Sequence, residues 1–187
     1  YMPKGESPPG GWPLLAWTHG TVGIADSCAP SWNGRPAQDE AYLNHFLAQG
    51  FAIVASDYQG LGTKGTHPYL ASRPAAYSNL DIIRAVQREP FPVSSEVILI
   101  GQSQGAGAAV ASAGYASIYA SELDVTGVVA TGVPFFVPAI FEAMERLRNP
   151  EKPDPLLGYS FFAMTLAEQL NAGFSMSDYV SEKVMPI

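Results

Sequence analysis

The chain has 187 residues, 47% of them hydrophobic and only 14% charged, a composition that builds one packed domain and excludes intrinsic disorder or a charged binding arm. Ten basic against 17 acidic residues give a net charge of −7, which leaves no electrostatic footprint for nucleic acid or an anionic membrane. No apolar run reaches the ~18–20 residues of a membrane span, and Tyr1 to Gly11 is polar and proline-rich with no signal-peptide core.

After the turn-rich Pro8-Pro9-Gly10-Gly11, the apolar run Leu14 to Thr18 reads as a strand that stops at His19-Gly20. Asp39 to Gln49 carries Ala41, Tyr42, Phe46 and Leu47 at helical spacing, and Gly50 follows where a C-cap needs positive φ. Phe51 to Ser56 is continuously apolar, as a parallel strand buried on both faces is. Asp57 to Pro74 reads as a long loop. Tyr77 to Arg88 reads as a helix, with Ser78 or Asn79 as its cap and Pro90 and Pro92 beyond its end. Val97 to Ile100 is a buried strand, Gln104 to Ala120 a helix of small residues, and Val125 to Thr131 a fourth strand. This alternation predicts an α/β fold with a parallel sheet and helices on both faces over residues 1–134. From Phe135 to Ile187 the pattern changes to two helical stretches, Ala139 to Arg148 and Tyr159 to Ala172, joined by the proline-rich linker Asn149 to Pro155. Six phenylalanines make this part aromatic, as suits a helical cap or lid over the site.

Chemistry concentrates in Val97-Ile-Leu-Ile-Gly-Gln-Ser-Gln-Gly105, a buried strand running through G-x-S-x-G into a helix. This is a nucleophile elbow. The turn holds Ser103 in a strained conformation at the positive end of the helix, and its tight approach to neighbours admits only glycine at Gly101 and Gly105. Acyl transfer also needs backbone donors for the developing oxyanion. Gln104 N–H, directly after the nucleophile, is one. The second belongs to a loop after a neighbouring strand, for which His19-Gly20-Thr21 and Asp57 are both candidates, each readable instead as an ordinary loop turn or cap. Gly60-Leu-Gly-Thr-Lys-Gly65 fits G-x-G-x-x-G, yet His67-Pro68 and Pro74 interrupt the helix that a pyrophosphate requires, so it is read as a loop. One cysteine, Cys28, and three histidines make no cluster of metal spacing, and neither a metal nor a cofactor is expected.

The segments Trp17-Thr-His-Gly-Thr-Val-Gly23, Asp26-Ser-Cys-Ala-Pro-Ser31, Ala55-Ser-Asp-Tyr-Gln-Gly60 and Gly101-Gln-Ser-Gln-Gly105 together resemble the α/β-hydrolase superfamily, and within it the secretory lipase family. The resemblance covers roughly Trp12 to Pro134. It implies a carboxylic ester hydrolase, secreted or periplasmic, acting on a small ester or lipid, with Ser103 as nucleophile and oxyanion donors at Gln104 and Asp57; the wider superfamily favours Thr21. It also implies that Cys28 pairs with a downstream cysteine, and this chain has none. The superfamily order is serine, acid, histidine. Here His19, His45 and His67 all precede Ser103, and read respectively as a loop residue, a helix-face residue and a loop residue before proline. Acids follow from Glu122 to Glu182, but none lies after a recognisable fifth strand. The expectation is therefore a partial hydrolase domain, its general base and acid supplied by polypeptide outside these residues, such as a second fragment of the same protein that completes the fold and triad. A serine peptidase or acyltransferase on the same elbow, or a non-catalytic hydrolase-like fragment, are the alternatives.

Overall fold

The computed structural model describes residues 1–149, 151, 152, 154 and 156–181; Pro150, Pro153 and Pro155 of the expected linker, and Glu182, lie outside the described residues. The chain divides into two units, Tyr1–Pro134 and Phe135–Ile187.

The first unit is built on strands β1 (Trp12–Thr18), β2 (Ala52–Ala55), β3 (Val93–Gln102) and β4 (Asp124–Thr131), all parallel, in the order β2-β1-β3-β4. Helices α1 (Pro30–Asn33), α2 (Ala37–Ala48), α3 (Ser72–Arg88) and α4 (Gln104–Tyr119) fall between them. Because successive side chains of a strand point to opposite faces, β1 divides its residues. Leu14 and Ala16 join Val54, Leu99, Leu80 and Ile83 of α3 and Ala109 of α4 in one core, while Leu15 and Trp17 join Ile53, Ile100 and Leu43 of α2 in the other. Helices thus cover both faces, as the alternation of the sequence predicts. The chain passes from β1 to β2 on one side and returns to place β3 on the other. The gap between β1 and β3 is a topological switch point, the place where open α/β sheets bind ligands beyond the carboxyl ends of their strands.

Two local expectations are corrected. The third helix starts at Ser72, not near Tyr77, because Pro74 sits in its first turn, where a missing N–H costs nothing. Ser78 and Asn79 are consequently interior rather than caps. Ser78 Oγ donates to the Pro74 carbonyl at 2.9 Å, and Asn79 is buried, donating to Ser112 Oγ of α4 at 3.1 Å. The short helix α1 and the 3₁₀ turn Asp26–Cys28 were not foreseen at all.

The second unit contains α5 (Pro138–Leu147), α6 (Leu157–Leu170) and the 3₁₀ turn Met176–Asp178. Glu168 of α6 accepts from Met176 N at 3.0 Å and from Ser175 Oγ at 3.2 Å, tying the turn back to the helix. Its aromatics pair locally, Phe136 with Phe141 and Phe174 with Tyr179. Among the described residues no helix is long and apolar enough to cross a membrane.

Candidate active site

Ser103 stands between the end of β3 and the start of α4 with φ 55° and ψ −122°. A side-chain-bearing residue held there costs on the order of 1–3 kcal/mol and persists only where its surroundings over-determine it. They do. Ser103 N donates to the Thr131 carbonyl at 2.9 Å, and its own carbonyl accepts from Ala106 N at 2.9 Å. A Cβ on Gly105 would press into the backbone of β1, at 2.6 Å from the His19 oxygen, and one on Gly101 would run into Thr18 Oγ1 and the Gly105 carbonyl. Thr18, fully buried, lies within 3.0 Å of the Ile100 carbonyl and 2.7 Å of the Gly105 carbonyl through Oγ1. It fastens the two sides of the turn together.

That strap is testable. Thr18→Val keeps the shape but removes the hydrogen bond that joins β1 to the Gly105 carbonyl, and is expected to cost about 0.5–1.5 kcal/mol, read as a lower urea midpoint at unchanged m value.

The glycine after β1 lies against Ser103: a Cβ on Gly20 would come within 3.8 Å of Ser103 Cβ. Gln104 supplies the first amide of α4, one of the N–H groups that a helix leaves without an internal acceptor and aims outward at its positive end. Thr21, one residue past Gly20, shares a 3.0 Å hydrogen bond between its Oγ1 and the Tyr69 hydroxyl. Asp57 follows β2, and its carboxylate is engaged away from the elbow, accepting from Ser31 N at 3.0 Å and from Ser31 Oγ at the start of α1. Its contribution to an oxyanion site would therefore come from its backbone.

None of the three histidines bonds the Ser103 hydroxyl among the described residues. His19 is fully buried, with Nδ1 at 2.7 Å from the Gly20 carbonyl and Nε2 at 3.3 Å from that of Asp57. His67, also buried, bonds the Gln59 carbonyl through Nδ1 and the Gln104 side chain through Nε2, both at 2.8 Å. His45 sits on the exposed side of α2 beside Gln49. His19 thus serves as a structural loop residue and His45 lies on a helix face, as the sequence suggests. The partnership of His67 with Gln104 is one that the sequence does not announce; it satisfies a glutamine side chain that only the fold shows to be buried.

Burial disfavours the imidazolium form of His19 and pulls its pKa down to about 4; burial lowers that of His67 as well. Between pH 6.5 and pH 4 the unfolded chain therefore binds a proton at His19 that the folded chain refuses, so stability falls as pH falls through that window. For His19 the loss amounts to about 3 kcal/mol at the acid end. Urea midpoints measured from pH 7 down to pH 4 should decline accordingly; a flat profile would contradict the burial of these rings as neutral groups.

The secretory lipase family model matches residues 35–148, a stretch running from before α2 through the elbow to the end of α5. The chain belongs to the secretory lipase family. Solved structures agree with the fold that the family implies. Lipase A of Candida antarctica in its closed state is 25% identical with a TM-score of 0.65, over 90% of this chain and 38% of that one. The rice cell wall degrading esterase LipA of Xanthomonas oryzae is 28% identical with a TM-score of 0.64, over 90% of this chain and 46% of that one. A Legionella pneumophila protein, at 24% identity, shares the fold with a TM-score of 0.70 over 94% of this chain and 46% of its own. The chain thus spans less than half the length of each of these proteins. Among curated protein sequences no match was found.

Proposed function

We propose that this member of the secretory lipase family forms part of a serine carboxylic ester hydrolase, secreted or periplasmic, acting on a small ester or a lipid through an acyl-enzyme on Ser103. The observation that carries the reading is the strained backbone of Ser103, wedged between two glycines that leave no room for a Cβ. Strain of this kind persists where geometry is needed for chemistry. Ser103 Oγ attacks the ester carbonyl carbon, and its proton passes to a general base. The oxyanion forms against Gln104 N–H, with a second donor from the Thr21 or Asp57 backbone. Collapse breaks the acyl–oxygen bond, the alcohol leaves with the proton, and water releases the acid by the reverse path.

The base and its acid come from polypeptide outside these 187 residues, either the same protein or a second fragment of it. Supporting this, the rings of His19 and His67 are buried and committed to other partners, and His45 lies exposed on α2, bonded to Gln49. The phenylalanines of the second unit suit contact with acyl chains better than with charged groups. Labelling of the intact protein with a fluorophosphonate, followed by peptide mapping, tests the core of the reading: the adduct should sit on Ser103. An unlabelled protein, or an adduct elsewhere, overturns it. Turnover of esters without turnover of matched amides or peptides would separate the esterase from a peptidase on the same elbow.

A further inference from the structure

We propose that His67 is a positioning residue that ties Gln104, the oxyanion donor after the nucleophile, to the loop that leaves β1; this rests on the acyl-enzyme reading above. Gln104 carries its side chain inward, 4% exposed, and its Nε2 donates to Nε2 of His67 at 2.8 Å. Because an amide nitrogen can only donate, His67 Nε2 accepts here, and Nδ1 carries the proton that is donated to the Gln59 carbonyl at 2.8 Å. The ring is locked in one tautomer between two partners.

The same ring lies 6.0 Å from that of Tyr58, nearly parallel, and 6.4 Å from that of Tyr69. Tyr69 shares the 3.0 Å hydrogen bond with Thr21, and Tyr58 lies tilted against His19, ring centroids 4.3 Å apart, while donating to the His19 carbonyl at 2.9 Å. One imidazole therefore touches the residue after the nucleophile and, through Tyr69 and Tyr58, the loop that leaves β1. Its own backbone is pressed against Gly60, where a Cβ would stand 2.7 Å from His67 Cα, so the 58–69 loop has little freedom to shift. An oxyanion donor works only when held within a few tenths of an ångström of the oxygen it will stabilise, and the first turn of a helix frays unless something holds it. Fixing Gln104 by its side chain holds the amide of the same residue.

The chemistry of histidine gives a paired test in the intact enzyme. The amide of glutamine can take the place of Nε2, and that of asparagine the place of Nδ1. His67→Gln keeps the link to Gln104, whereas His67→Asn keeps only the link to Gln59. On a p-nitrophenyl ester, His67→Asn should lower kcat about tenfold or more with KM nearly unchanged, a part of the roughly 10²–10³ that losing an entire oxyanion donor costs. His67→Gln should restore most of it, at similar melting temperature. Gln104→Leu cuts the same bond from the other end without removing the backbone amide, and should reproduce the loss without adding to it in the double variant. The proposal is overturned if His67→Asn and His67→Gln hydrolyse ester alike, if the losses of the two single variants simply add, or if neither His67→Asn nor Gln104→Leu folds, which would make the bond purely structural. Failure of the underlying reading looks different, since wild-type Ser103 would then take no fluorophosphonate.

Discussion

Ser103→Ala, introduced into the intact protein, is expected to abolish fluorophosphonate labelling and to reduce ester hydrolysis by on the order of 10⁴-fold or more, the scale seen when a serine nucleophile is removed from a working triad. The residual rate would come from the oxyanion donors and substrate binding alone. Folding should be untouched, because the change removes one partly exposed hydroxyl and creates no cavity. Alanine also carries a Cβ, so the strain at φ 55° remains. Ser103→Gly separates strain from chemistry. It should be equally inactive yet more stable than the parent, by about 1 kcal/mol or more, as the left-handed backbone is relieved. Activity at parental level in either variant, measured on the same ester, would end the assignment of Ser103 as nucleophile.

Gly105→Ala should be the most damaging single methyl in the first unit. The added carbon would meet the backbone of β1 rather than a side chain, pressing on Thr18 and standing 2.6 Å from the His19 oxygen. A side chain could rotate away; β1 cannot move without breaking its register with β3 at Trp17↔Ile100 and Thr18↔Gly101. The expected cost exceeds about 4 kcal/mol, enough to unfold an ordinary domain or drive it into inclusion bodies. Gly114 on the same helix is the internal control. Nothing lies within 4 Å of a Cβ there, so Gly114→Ala should stabilise by about 0.5–1 kcal/mol through helix propensity. Similar midpoints for the two variants in urea would refute the account of the elbow.

What could be read in the sequence followed from how local its cause was. The buried strands are short apolar runs between turn residues, and the elbow is written in nine consecutive positions, so both were legible. Pro74 is ambiguous because the same residue breaks a helix in its interior and opens one in its first turn, and only the burial of Ala76 and the packing of Leu80 into the core with Leu14 and Val97 decides between them. The link between His67 and Gln104 joins residues 37 apart, through a loop whose course depends on Gly60 and Tyr58. No periodicity records such a pairing. The engagement of Asp57 with Ser31 was hidden for a like reason, since it rests on α1, a helix too short to leave an amphipathic pattern.

The Thr18 strap fixes the moment at which Ser103 takes up its strained backbone. Its two partners, the carbonyls of Ile100 and Gly105, lie 82 and 87 positions further along the chain. A nascent polypeptide therefore carries Gly101-Gln-Ser-Gln-Gly105 for as long as β1 and β3 remain apart, with nothing to keep Ser103 out of the relaxed conformations that its own neighbours prefer. Closing so long a loop is an entropic cost met only when the sheet assembles. The strained backbone of Ser103 is thus a late product of folding.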